Sequence, residues 1–308
     1  MKTTPHPRLS GLHFLLTYQC TFECDHCVAW GSPWQSGTFS LTRVRQALDQ
    51  AEQLGTIGEV YFEGGEPFMY YAILVNVVQE AHKRGFKVGI VSNSYWAITI
   101  EDALEWLRPF AGLIEGLTVS SDLYHYDELH SQQARNAAAA AEMLNIPLGT
   151  ICVAQPEALE ARATLGKLPD NAPDEGSNLM YRGRAVEKLT PRATLHPWQN
   201  FTSCPYEDLD DPGRLHLDPL GNLHICQGIC LGNLFEQPLQ EIWERFDPQA
   251  HPIVSALLAG GPVELVRRYH VPHEENYADA CHLCYEARRM LRPQFPELLA
   301  PDQMYGIF

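Results

Sequence analysis

The sequence predicts an α/β fold, a parallel sheet wrapped by crossover helices and followed by a smaller cysteine-bearing region. Three observations carry this expectation. Short apolar runs alternate six times with segments of helical period between Leu12 and Lys188, the pattern of parallel strands joined by crossover helices. Glycine, cysteine and small polar residues follow the ends of those runs, where parallel α/β folds bind their ligands. Finally, eight of the nine cysteines gather in two regions, 20–27 and 204–284.

The elements follow in order. Leu12 to Leu16 is an unbroken apolar run and predicts a buried strand. Ser40 is a helix N-cap ahead of Val44, Ala47, Leu48, Ala51 and Leu54 at helical spacing, and Gly55 closes the run. Glu59 to Phe62 is the second strand and leads into Gly64-Gly65-Glu66-Pro67. A second helix runs from about Met69 to Lys83, closed by Gly85, and Val88 to Val91 is the third strand. After it come Ser92, Asn93 and Ser94, then a helix over Ile100 to Leu107. Leu117 to Val119 is the fourth strand, ending on Ser120-Ser121-Asp122 with Tyr124, His125 and Tyr126 at the same rim. An alanine-rich helix spans Ala134 to Leu144. Leu148 to Val153 is the fifth strand and contains Cys152, and Asn178 to Tyr181 is the sixth, followed by Arg182-Gly183-Arg184.

Pro191 and Pro197 mark a linker over Thr190 to Trp198. Beyond it, Leu215 to Asp218, Pro219-Leu220-Gly221-Asn222 and Leu223 to Cys226 predict a β-hairpin. Cys281 and Cys284 precede a helix-like segment, Tyr285 to Leu291. The division expected is residues 1–190 and 191–308.

Composition excludes several classes. The formal net charge is −16, from 22 Lys+Arg against 38 Asp+Glu, which disfavours nucleic acid or an anionic membrane as partner. No apolar run reaches membrane-spanning length, and residues 1–10 lack an apolar signal core, so the expected location is the cytoplasm. In a reducing compartment, clustered cysteines favour metal over disulfides.

The chemistry centres on Cys20-Thr21-Phe22-Glu23-Cys24-Asp25-His26-Cys27. Iron–sulfur clusters are held by cysteine thiolates. A [4Fe–4S] cube has four irons, and three cysteines leave one open for chemistry. The alternative is zinc, with His26 as fourth ligand.

C-x3-C-x2-C after an apolar strand, followed by Gly64-Gly65-Glu66-Pro67 after Val60-Tyr61-Phe62, resembles the radical S-adenosylmethionine (AdoMet) superfamily. The resemblance implies a partial (β/α)6 TIM-like barrel. It also implies a cluster on Cys20, Cys24 and Cys27 whose open iron is chelated by AdoMet, then cleaved to a 5′-deoxyadenosyl radical. It implies AdoMet contacts from Gly64, Gly65, Glu66 and Pro67, and from His26, which stands where an aromatic ring often lies beside the adenine. Ser121 or Asp122 matches a ribose-binding position, and Arg182 or Arg184 a carboxylate-binding one. Ser92 and Asn93 suit ribose or carboxylate contacts on chemical grounds, or an ordinary loop. Tyr124, His125 and Tyr126 are the substrate-contact candidates. Cys152 is an inert buried thiol or a hydrogen donor to a radical.

The later cysteines resemble the twitch or SPASM extension of that superfamily, the one-cluster twitch form fitting their number. That implies a second [4Fe–4S] cluster on Cys204, Cys226, Cys281 and Cys284, with Cys230 a possible substitute. The whole reading is an enzyme acting on a small molecule or peptide and reduced by a flavodoxin or ferredoxin. Only 19 residues precede Cys20, which leaves no room for a leader-binding domain there. The competing classes are a non-enzymatic iron–sulfur carrier or scaffold and a structural zinc protein. A carrier needs neither an open cluster site nor a GGEP loop.

Overall fold

The structure, a computed structural model, describes residues 8–159 and 179–308. Eight strands form a single sheet. In chain order the elements are β1 (Gly11–Thr17), α1 (Leu41–Leu54), β2 (Glu59–Gly64), α2 (Tyr71–Lys83), β3 (Lys87–Ser92), α3 (Ile100–Leu107), β4 (Gly116–Ser120), α4 (Gln132–Met143) and β5 (Leu148–Ile151). There follow α5 (Arg184–Lys188), β6 (Arg214–Leu217), β7 (Asn222–Cys226), β8 (Ile229–Asn233), α6 (Leu239–Arg245), α7 (Pro252–Tyr269) and α8 (Ala280–Leu291).

Across the sheet the order is β5-β4-β3-β2-β1-β6-β7-β8. Every pair from β5 to β6 is parallel, and β7 and β8 close the edge antiparallel. This is the mixed α/β, partial-barrel class that the alternation predicts. The caps are those the sequence signals: the Ser40 side chain accepts from the Arg43 N–H, and Gly55 takes the left-handed conformation at φ 71°.

One strand is not where the sequence places it. Among the described residues, 179–182 form no strand, and Asn178 lies outside them. The Tyr181 N–H donates instead to the Asp279 carboxylate at 3.2 Å. The sixth parallel strand is β6, the first arm of the predicted hairpin, which pairs with β1. The hairpin therefore extends the barrel's own sheet, and a continuous hydrophobic core runs from Leu9 through Leu215 and Leu217 to Tyr305. A second difference concerns α8, which begins at Ala280 with Asp279 as its N-cap. Cys281 and Cys284 therefore sit on a helix, three residues apart on one face.

Candidate functional site

The cysteine loop lies at the C-terminal end of β1, against the glycine loop that ends β2. Glycine is required in that loop by close approach. A Cβ on Gly65 would stand 2.0 Å from the Gln19 carbonyl oxygen, and one on Gly64, at φ 126°, 2.6 Å from that of Thr17. The Gly65 N–H donates to the Thr17 carbonyl and the Glu66 N–H to that of Gln19. Pro67 opens a short 3-10 turn capped by Glu66.

Glu66 is fully buried. Its carboxylate accepts from the Phe68 N–H at 3.0 Å, the Ser92 hydroxyl at 2.9 Å and the Asn93 N–H at 2.7 Å. Burial raises its pKa to about 7 against the pull of these donors. Glu66 thus fixes the loop after β3. From that loop the Asn93 amide donates to the Thr21 hydroxyl at 3.0 Å and to the Cys20 sulfur at 3.5 Å.

The three thiols are unbridged. Backbone N–H groups point at two of them, Phe22 at the Cys20 sulfur (3.4 Å) and Gly31 at that of Cys27 (3.2 Å). Burial pushes Cys20 up to about 12 and Cys24 further. Thiols so placed hold their protons until a cation displaces them, and N–H···S bonds tune a cluster's potential. The donor set therefore fits a cluster.

The rim after β4 packs onto the same loop. Ser121 is buried and donates to the Leu129 carbonyl, so it holds the loop that leads to α4. Asp122, also buried, accepts from His125 Nδ1 at 2.7 Å and from the Val153 N–H at 3.1 Å. His26 stands 4.6 Å, centroid to centroid, from the Tyr124 ring and 5.3 Å from that of His125. Its Nδ1 is buried with no hydrogen-bond partner, and burial lowers its pKa to about 4. The Tyr126 hydroxyl donates to the Asn93 carbonyl at 2.7 Å. Cys152 is buried, and burial raises its pKa to about 11.

Arg182 and Arg184 have partners other than a free carboxylate. Both are buried. Arg184 donates to the carbonyls of Cys24 (2.8 Å) and Gly31 (2.9 Å), bracing the cysteine loop from behind. Gly183, at φ 62°, lets this segment in; a Cβ there would stand 2.6 Å from the Cys27 carbonyl oxygen. Arg182 points the other way and donates to the Cys226 sulfur at 2.9 Å.

Arg182 there enters a cavity lined by Cys204, Cys226, Cys281, Cys284 and Arg288. The four cysteines come from three separate stretches of chain, brought together by the β7 terminus and the first turn of α8. Arg288 is 1% exposed, and the Nε atoms of both arginines lack partners. Cys230 faces elsewhere: its thiol donates to the Gly232 carbonyl at 3.3 Å, because it lies one strand over and opposite His224. Arg288 was missed in the sequence, although its position four residues past Cys284 on a helix puts it on the same face. Trp30 packs inward, its Nε1 donating to the Tyr285 hydroxyl, whereas Trp34 is 83% exposed.

This arrangement, a thiol triplet and a glycine loop at the carboxyl ends of adjacent parallel strands, is matched in known proteins. Residues 14–131 match the radical SAM superfamily, the family that the cysteine and glycine motifs resemble. YydG of Bacillus subtilis (strain 168), provisionally named a peptide biosynthesis protein, is 25% identical over 122 residues, 39% of this chain and 38% of that one. An S-adenosylmethionine-dependent nucleotide dehydratase of Fibrobacter sp. (strain UWH6) is 26% identical over 122 residues, 37% of this chain and 34% of its own length. The matched stretch spans little more than a third of either relative. In fold, native anSMEcpe with bound AdoMet superposes with a TM-score of 0.52 at 12% identity, over 94% of this chain and 98% of that one. No helix among the described residues is long and apolar enough to cross a membrane.

Proposed function

We propose that this chain is a radical AdoMet enzyme with two [4Fe–4S] clusters, acting on a peptide or small molecule held at the barrel mouth. When bound on Cys20, Cys24 and Cys27, the first cluster supplies the electron that cleaves AdoMet to methionine and a 5′-deoxyadenosyl radical, which takes hydrogen from the substrate. The chain's own residues prepare that site. Glu66 orients the Ser92–Asn93 loop and offers a carboxylate near the methionine end of AdoMet. His26, beside the Tyr124 and His125 rings, would offer a flat surface to the adenine, and Asp122 holds His125 at the rim beside Tyr124 and Tyr126. A proton or hydrogen donor is available there from Tyr126 or Cys152.

The observation that carries the two-cluster reading is the cysteine cavity. Four thiols converge on one buried cavity beside Arg288 and Arg182, the latter shared between the Cys226 sulfur and the Glu207 carboxylate, and thiolates so placed would be satisfied by a metal. Cys204, Cys226, Cys281 and Cys284 complete a cube's ligation, so this second site would relay electrons rather than bind AdoMet. Residues 1–190 would then supply the catalytic core, completed by β6, and the rest of 191–308 the auxiliary region. The peptide class is favoured by the name of the Bacillus relative, and reduction would come from a flavodoxin or ferredoxin.

The test is anaerobic preparation with iron and zinc counted per chain, then incubation with AdoMet and deuterated candidate peptides or metabolites. Brown protein that transfers deuterium into 5′-deoxyadenosine is expected. Colourless, zinc-replete protein that leaves AdoMet intact would overturn the reading.

A further inference from the structure

A third group of ligating side chains lies away from both cysteine sites, on the sheet face opposite the helices. Parallel register sets His13 of β1 beside Tyr61 of β2 and His216 of β6. Strand side chains alternate in direction, so Glu63, two residues past Tyr61, shares this face. The other face of the same strands, with Leu12, Phe14, Val60, Phe62, Leu215 and Leu217, is fully buried core. The three ligating residues are on separate strands, where the barrel wall holds them rigidly.

The His13 ring stacks on Tyr61 at 4.7 Å and meets His216 edge-on at 5.1 Å. Glu63 places Oε2 3.5 Å from His13 Nδ1 and Oε1 3.3 Å from His216 Nε2. One ligand atom from each of the three lies within 4.8 Å of the others. These separations are long for charge-assisted hydrogen bonds, which run at about 2.7–2.9 Å. His13 Nδ1 is buried without a hydrogen-bond partner, as is His216 Nδ1. Two donors each about 2.0–2.1 Å from a tetrahedral ion stand roughly 3.3–3.4 Å apart, and the two His–Glu63 separations are of that size. The side chains of His13 and Glu63 remain 15% and 21% exposed, which gives an ion access.

We propose that His13, Glu63 and His216 bind one divalent transition-metal ion inside the barrel. Two imidazoles and a carboxylate leave coordination positions open. Those positions would take an oxygen or nitrogen ligand entering the lumen, such as a substrate carboxylate. The site is independent of the radical chemistry proposed above, since none of its three residues belongs to either cysteine set.

The experiment loads the anaerobically prepared, cluster-containing protein with equimolar ZnCl2, removes free metal by gel filtration and counts zinc and iron by mass spectrometry. About one zinc per chain is expected above the level of a His13→Ala/His216→Ala variant, with iron unchanged between them. Glu63→Gln, nearly isosteric and chosen to preserve the fold, should lower zinc affinity at least tenfold in competition with a chelator, at unchanged circular dichroism. Equal zinc in wild type and the double variant, or no retained zinc in the wild type, would overturn the proposal and leave the trio as a solvated polar cluster. Either result stands whether or not AdoMet is cleaved.

Discussion

The two cysteine sites of this chain solve the same problem, the burial of thiols, by different means. At the N-terminal loop the thiols come from eight consecutive residues, and polarity reaches them as dipoles: the Phe22 and Gly31 N–H groups and the Asn93 amide. In the C-terminal cavity the thiols come from residues 204, 226, 281 and 284, and full charges stand beside them, the Arg182 and Arg288 guanidiniums and the Glu207 carboxylate 3.5 Å from Arg182. At the N-terminal loop dipoles meet the sulfurs while Arg184 is spent on the loop's carbonyls, an arrangement that would suit a cluster whose open iron accepts a charged ligand. A site with two guanidiniums against one carboxylate would suit a closed, fully thiolate-ligated one, whose negative charge the surplus cation would offset.

Breaking the first site should have the largest effect. Replacing Cys20, Cys24 and Cys27 together by Ala should abolish AdoMet cleavage and reduce iron from about eight to about four per chain, two cubes to one, checked by product chromatography and iron assay. Breaking the second by Cys281→Ala/Cys284→Ala should give the same loss of iron but spare AdoMet cleavage. Substrate turnover, followed by mass spectrometry, should fail in that variant.

Arg182→Met tests the charge difference directly. Removing one partner of a buried ionic set costs about 3–5 kcal/mol, so retention of the auxiliary cluster on dilution should drop while the AdoMet cluster stays. Equal loss at both sites would erase the distinction between them.

Glu66→Ala should weaken AdoMet binding by one to two decades, about 1.5–3 kcal/mol for a lost charge-assisted hydrogen bond, read by calorimetry. Glu66 also carries a pH signature. Its pKa is raised to about 7 by burial, so its contribution to folding stability is complete below the unfolded carboxyl value of about 4.3 and is lost as pH rises through about 7. Denaturation midpoints should therefore show a decline over that window that Glu66→Gln removes. The smallest effect is expected from Cys230→Ala. That thiol faces Gly232 and Asn222 rather than the cavity, so iron content should not change.

The contrast between the sites also explains what the sequence reveals. The N-terminal site is local: spacing within eight residues, a following glycine pair and strand-end polar residues are all visible in the linear chain. The barrel alternation is equally local, and β1 to β5 fall within two residues of their predicted bounds. What escaped depends on tertiary pairing. The N–H of Tyr181 is taken by Asp279, ninety-eight residues away, and β6 supplies the sixth parallel strand in place of 178–181. No linear pattern encodes that exchange. Arg182 and Arg184 were legible only as candidates for a carboxylate or a surface salt bridge; their burial and their targets, a sulfur and two carbonyls, emerge only once the cysteine loop folds back over them.

The Arg182-Gly183-Arg184 segment carries a mechanical consequence. Its first side chain grips the Cys226 sulfur, its third grips the loop that carries Cys24, and the glycine between them is pressed against Cys27. Three consecutive residues thus tether one group of thiols to the other, like a short rigid link between two joints. Metal seated on either group, as proposed, would restrain one end of the link and so limit the play at the other. By thermodynamic reciprocity, whatever firmness the first confers on the second is returned in equal measure.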